Sequence, residues 1–139
     1  MSKLLGIDYG KKRIGLAVSD EEEKFSFARE TLENKSKINI FDELQKYCIE
    51  EEIKKIIIGL PLNMKGQASE WTEEVKKFKK NLENKLNIPC QFQDERMTSR
   101  LSHNLFQNKK VSQKVSKNKI NEQSARIILQ DYIDRQSLK

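Results

Sequence analysis

Lys54-Lys55-Ile56-Ile57-Ile58-Gly59-Leu60-Pro61 is the stretch that decides the fold of this chain. Three consecutive isoleucines leave no polar side, so the run reads as a central strand buried on both faces. Strands of that kind pair in parallel through helical crossovers, which predicts an α/β protein. The run leaves through a loop from Gly59 to Gly66 that contains Pro61, Asn63 and Lys65.

The flanks supply the crossovers. Ile40, Phe41, Leu44, Tyr47 and Cys48 recur at helical spacing before the run, and Trp71, Val75, Phe78, Leu82 and Leu86 mark one face of a helix after it. Ser69 suits the N-cap of that second helix, Glu70, Glu73 and Glu74 suit its positive end, and Trp71 reads as a core residue. Ile88 to Gln93 is a short strand leading into Asp94-Glu95-Arg96-Met97-Thr98, where Thr98 can cap a helix carrying Leu101, Leu105 and Phe106. Asn108 to Lys119 holds five lysines without a period and reads as a mobile basic loop. A last helix spans about Ile120 to Arg135, with Ala125, Ile128, Leu129 and Tyr132 facing inward.

Towards the N-terminus, Lys3-Leu4-Leu5-Gly6-Ile7 is a short apolar strand that ends in Asp8, between Gly6 and Gly10. Arg13 to Asp20 alternates, with Ile14, Leu16 and Val18 on one side and Gly15, Ala17 and Ser19 on the other, so it pairs with the first strand as a hairpin. Leu4, Gly6 and Asp8 share a face. Small residues around Asp8 leave either room for a ligand or a surface for a helix packed close. Phe25 to Leu32 makes a third antiparallel strand. A meander of three strands followed by alternating strands and helices describes a mixed five-stranded sheet flanked by helices, in one domain over residues 1–139.

Composition narrows the class. Only two prolines and five glycines occur, so a linker is not expected. No signal peptide or apolar window of about 20 residues is present, and a soluble, intracellular protein without membrane contact is expected. Cys48 and Cys90 fit no metal-ligand spacing and read as reduced core thiols. The net charge of +6 comes from the last third, where residues 99–139 carry nine Lys or Arg against three Asp or Glu. A basic end on a balanced body points either to nucleic acid or to a merely soluble lysine-rich surface.

Function in open α/β sheets concentrates at strand exits. Asp8 ends the first strand and Asp94-Glu95 the last, so carboxylates meet there beside Lys11, Lys12 and Arg13. Such a cluster calls for a hard divalent cation and suits phosphodiester hydrolysis. Asp94-Glu95-Arg96 equally suits a cap paired to its own arginine. Arg96, Arg100, Lys109, Lys110, Lys114, Lys117 and Lys119 are further candidates for a phosphate backbone. His103 reads as a surface residue. Few aromatic residues accompany these charges, which speaks for backbone contacts and against base stacking.

Gly6-Ile7-Asp8-Tyr9-Gly10, Gly59-Leu60-Pro61-Leu62-Asn63, Asp94-Glu95-Arg96-Met97-Thr98 and Ile127-Ile128-Leu129-Gln130-Asp131-Tyr132 together resemble the YqgF (RuvX) family in order and spacing, over nearly the whole chain. The resemblance implies an RNase H-like fold and a cytoplasmic, Mg²⁺- or Mn²⁺-dependent nuclease. Its substrate would be structured RNA, at the 5′ end of pre-16S rRNA, or branched DNA, as in a Holliday junction resolvase. It maps the family's first-strand aspartate to Asp8 and the acidic pair after the last strand to Asp94-Glu95, of which Glu95 is taken as the catalytic and metal-binding residue beside Asp8. The family's aspartate at the start of the final helix is replaced by Asn121, followed by Glu122, so either Asn121 or Glu122 completes the shell. Asn121 brings no charge, which leaves a catalytically weakened binding protein as an alternative. A monomer or a weak dimer fits these substrates.

Overall fold

The computed structural model describes residues 3–35, 39–61, 67–94 and 117–138, the last segment with side chains from residue 123. Five strands form one sheet: β1 (Lys3–Tyr9), β2 (Arg13–Ser19), β3 (Ser26–Glu33), β4 (Ile53–Leu60) and β5 (Cys90–Asp94). Their order across the sheet is β3-β2-β1-β4-β5. The first three are antiparallel neighbours, while β4 lies parallel to β1 and β5 parallel to β4. The three helices described are α1 (Ile40–Glu50), α2 (Glu70–Leu86) and α3 (Lys117–Ser137). The expected mixed sheet is therefore observed, with β1 at its centre. No helix among the described residues is long and apolar enough to cross a membrane.

The isoleucine run behaves as its composition demands. Ile56 and Ile58 join Leu5, Ile7, Ile14 and Leu16 in a core covered by α1 and α2, while Ile57 joins Leu4 and Ala17 under α3. All of these side chains are buried, each worth about 1.5–3 kcal/mol relative to exposure for the larger ones. Helix α1 starts at Asn39, whose side chain accepts from the Asp42 N–H. Helix α2 starts at Ser69 in a capping box: Ser69 Oγ accepts from the Thr72 N–H while Thr72 Oγ1 accepts from the Ser69 N–H. Thr72 is fully buried and donates its hydroxyl to the Pro61 carbonyl, which ties the start of α2 to the exit of β4.

Helix α3 is clipped to the far side of the sheet. Ser26 donates its hydroxyl to the Arg126 carbonyl at 2.7 Å, and the Gln130 side chain accepts from the Ser26 N–H at 2.8 Å. Tyr132 Oη accepts from Lys55 Nζ at 2.8 Å near the beginning of β4. The described part of α3 begins at Lys117, so Lys117 and Lys119, expected in the basic loop over 108–119, lie on helix. Lys117-Asn118-Lys119 contains neither Gly nor Pro, and a polar stretch of that kind extends a helix once the following turns are packed.

Candidate functional site

Asp8 stands at the penultimate position of the central strand, half-buried, on the face that α3 covers. Gly15 pairs with it on β2, and one step beyond the Ile7–Ile58 pair its neighbour on β4 is Gly59. Gln93, paired with Gly59, continues the row onto β5. The carboxylate is thus flanked on both adjoining strands by residues without side chains. Gln93 is buried and donates to Asp131 on α3 at 2.5 Å, and Asp131 in turn lies 3.2 Å from Arg135. Asp131 is engaged there.

One glycine on this face is explained by packing. A Cβ at Gly6 would stand 2.8 Å from Leu129 Cβ and 3.0 Å from the Ala125 carbonyl oxygen. Of the two readings that the small residues allow, the close-packed helix holds at Gly6. The same contacts orient α3. Ala125 and Leu129 lie over Gly6, whereas Tyr132 reaches Lys55, which pairs with Leu4. The helix therefore runs antiparallel to β1 and β4, and its first turns lie towards the strand exits. From Ala125 back to Asn121 is about 6 Å of helix, and from Gly6 forward to Asp8 is about 6–7 Å of strand. The backbone at Asn121 and Glu122 is thus brought level with Asp8.

Asp94 is not brought to that face. Cys90 and Phe92 pack against the core under α1 and α2, and Gln93 points the other way. Alternation puts Asp94 with Cys90 and Phe92. Among the described residues no three His, Cys, Asp or Glu side chains converge as a metal site. Glu95, Arg96, Arg100, His103, Lys109, Lys110 and Lys114 lie outside the described residues, as do the side chains of Lys117, Lys119, Asn121 and Glu122.

The basic loop of the hairpin is well defined. Gly10 donates to the Arg13 carbonyl at 2.9 Å, and a Cβ at Gly10 would stand 2.5 Å from that oxygen, so the tight closure needs glycine. Asn34, just past β3, donates its side-chain amide to the Gly10 carbonyl and its N–H to the Lys12 carbonyl, both at 2.8 Å. Lys11 and Lys12 are held exposed and Arg13 half-buried, on the turn that follows Asp8 in the chain.

The structure adds two residues that the sequence reading left out of the site. Tyr9 stacks on Trp71 with ring centres 5.4 Å apart and planes 4° from parallel, and Lys11 Nζ lies 5.5 Å from the Trp71 ring centre. Trp71 packs against the core but keeps part of its surface exposed. Trp71 and Tyr9 are 62 positions apart, and no local pattern joins them. Away from the site, Cys48 and Cys90 are free thiols, each pushed up to about 12 by burial, as inert core cysteines should be.

Comparison with known proteins adds a family and a fold. A model of the RuvX family, described as Holliday junction resolvase, matches residues 2–135. A protein of Sulfurihydrogenibium sp. is 42% identical over 99% of this chain and 93% of its own length. One of Bacteroides fragilis is 35% identical over 99% of this chain and 100% of its own. One of Maridesulfovibrio salexigens is 32% identical over 96% and 98%. All three carry the provisional name of pre-16S rRNA nuclease. Among solved structures, Thermus thermophilus RuvC in complex with a Holliday junction superposes with a TM-score of 0.61 over 98% of this chain and 96% of its own, at 9% identity. That likeness shows the fold, which is RNase H-like.

Proposed function

This chain belongs to the RuvX family, and from that premise we propose that it is a divalent-metal-dependent nuclease that hydrolyses structured RNA at the 5′ end of pre-16S rRNA. The observation that carries the reading is the placement of Asp8. It is a half-buried carboxylate on the central strand between two glycine neighbours and level with the first turns of α3, and the hairpin turn that follows it carries Lys11, Lys12 and Arg13. An acidic group in that setting, facing a polyanion, is what a hard cation stabilises.

The donor set fits Mg²⁺ or Mn²⁺. Asp8 would hold the ion with Glu95 and with either Asn121 or Glu122, all oxygen donors. Asp94 is set aside as a ligand, because Gln93 is on the Asp8 face of β5 and Asp94 is on the other. When bound, the metal supplies activation of water and neutralisation of charge on the leaving oxygen. The protein's own part is to orient the phosphodiester. Lys11, Lys12 and Arg13 on their braced turn hold the backbone, assisted by Arg96, Arg100, Lys109, Lys110, Lys114, Lys117 and Lys119. Contacts of this kind weaken steeply with salt and read little sequence. With Asn121 rather than Glu122 as the third donor the shell has one negative charge fewer, so activity at a given metal concentration is lower than a third acid would give.

A second reading is favoured by the description of the family and by the fold shared with a junction-bound protein: a Holliday junction resolvase. Symmetric cleavage of a junction requires two copies of the site and hence a dimer. The deciding experiment is cleavage of a precursor rRNA fragment against a four-way junction, each with Mn²⁺, with Asp8→Asn as control. The RNA fragment is expected to be cut and the mutant to lose on the order of 10³-fold in rate, about 4 kcal/mol of barrier. Cleavage of the junction alone establishes the resolvase, and binding without cleavage by the native protein establishes a catalytically weakened binder. Unchanged turnover in the mutant would overturn every version in which Asp8 holds the metal.

A further inference from the structure

Trp71 is the single tryptophan of the chain and stands half-buried in the first turn of α2. Its ring lies on Tyr9, and Tyr9 lies on Phe78 with centres 4.0 Å apart and planes 16° from parallel. The three rings form one column rooted in the core at Phe78, which is 4% exposed, and ending at Trp71. Above that end hangs the Lys11 ammonium, 5.5 Å from the ring centre and carried by the turn that Asn34 braces. Burial explains Phe78 and the inner side of Tyr9. It does not explain a large flat ring left partly exposed with a lysine, rather than the core, over it.

A rigid indole face with an adjoining cation is what an unpaired nucleotide needs, a surface for its base and a charge for its phosphate. Duplex nucleic acid offers no free base to such a surface. Position matters equally: Tyr9 follows Asp8 directly and points to the opposite side of the sheet edge. A strand crossing the end of β1 therefore meets the carboxylate on one side and the ring column on the other.

We infer that Trp71, backed by Tyr9 and Phe78 and overhung by Lys11, is a stacking platform for an unpaired nucleobase close to the phosphodiester at Asp8. The inference deepens the nuclease reading and rests on it, and it narrows the substrate to nucleic acid with single-stranded nucleotides beside the cleaved bond.

The test uses the full chain in EDTA, so that nothing is cut, and end-labelled oligonucleotides: single-stranded oligoadenylate as RNA and as DNA, an RNA duplex of equal length, and an abasic strand. Anisotropy reports binding and Trp71 emission reports stacking. Single-stranded oligoadenylate should quench the emission in step with binding, whereas the abasic strand should bind without quenching. Trp71→Phe should retain affinity, and Trp71→Leu, which keeps an apolar contact with Tyr9, should lose on the order of tenfold. Lys11→Ala should lower the salt dependence by about 0.7 of a log unit per log unit. Binding of oligoadenylate with unchanged emission, or equal affinity in a folded Trp71→Leu variant, overturns the platform and leaves the nuclease reading standing. Failure to bind any of the nucleic acids overturns the platform and leaves the nuclease reading to the cleavage experiment with Mn²⁺. The emission of the native protein decides the matter even if Trp71→Leu does not fold.

Discussion

The two faces of the sheet carry unlike side chains. Under α1 and α2 lie Leu5, Ile7, Ile14, Leu16, Ile56 and Ile58, large and fully buried. Under α3 lie Leu4, Gly6, Asp8, Gly15, Ala17, Ile57 and Gly59, mostly small, with one carboxylate. The first face supplies stability through apolar area. The second allows a helix to approach within van der Waals contact of the strands and brings its first turns level with Asp8. Core and site share one sheet but make different demands on it, so substitutions on the two faces should fail in different ways.

The largest effect should be that of Asp8→Asn, which removes most of the cleavage and leaves the thermal melt nearly unchanged. Ile58→Ala, on the opposite face of the adjoining strand, should show the reverse. Its cost is about 3 kcal/mol of stability by urea titration, with normal turnover per folded molecule. Loss of turnover in folded Ile58→Ala would mean that the faces are not separable. Gly6→Ala tests their joint dependence on α3. The added methyl must push on Leu129 and the Ala125 carbonyl, at about 2 kcal/mol. Because it displaces the helix that carries Asn121 and Glu122, it should lower activity as well as stability, and stability loss alone would detach α3 from the site.

The smallest effect concerns the thiols of the large-residue face. Cys48 and Cys90 hold their protons up to about pH 12 in the folded chain, while an unfolded chain releases them near 9. The native state binds more protons between those values, so this contribution is complete below pH 9 and is lost as pH rises towards 12. At pH 8 both thiols should resist alkylation in the native protein and react readily in urea. Rapid native alkylation would show that this face opens.

Much of the fold was legible because the signals are local. The isoleucine run announced a strand buried on both sides, the alternation from Arg13 to Ser19 announced a hairpin, and Ser69 announced a helix start. That α3 includes Lys117 was not legible, since Lys117-Asn118-Lys119 owes its helical state to the packed turns beyond it. Within the site, Asp8 could be chosen from sequence as an acid at the exit of an apolar strand. The separation of Asp94 from Asp8 could not, because it depends on which way β5 faces in the assembled sheet, and that is shown by Cys90 and Phe92 packing on the core and Gln93 reaching Asp131. The role open to Trp71 was missed for the same kind of reason: its helical spacing with Val75 and Phe78 is that of a core residue, and nothing nearby in sequence tells that Tyr9 and Lys11 meet it.

By itself the sequence determined the elements seen among the described residues, their order, the family and the carboxylate at the end of the first strand, because each of these is written in periods of two or 3.6 residues or in short runs. Only the tertiary structure decided what stands beside that carboxylate. Gly15 and Gly59 flank it, the first turns of α3 come level with it, and a ring column capped by Lys11 lies across the sheet edge. Those relations join residues far apart in the chain, and they are fixed by strand register and by how closely a helix can approach glycine, quantities that no local pattern encodes.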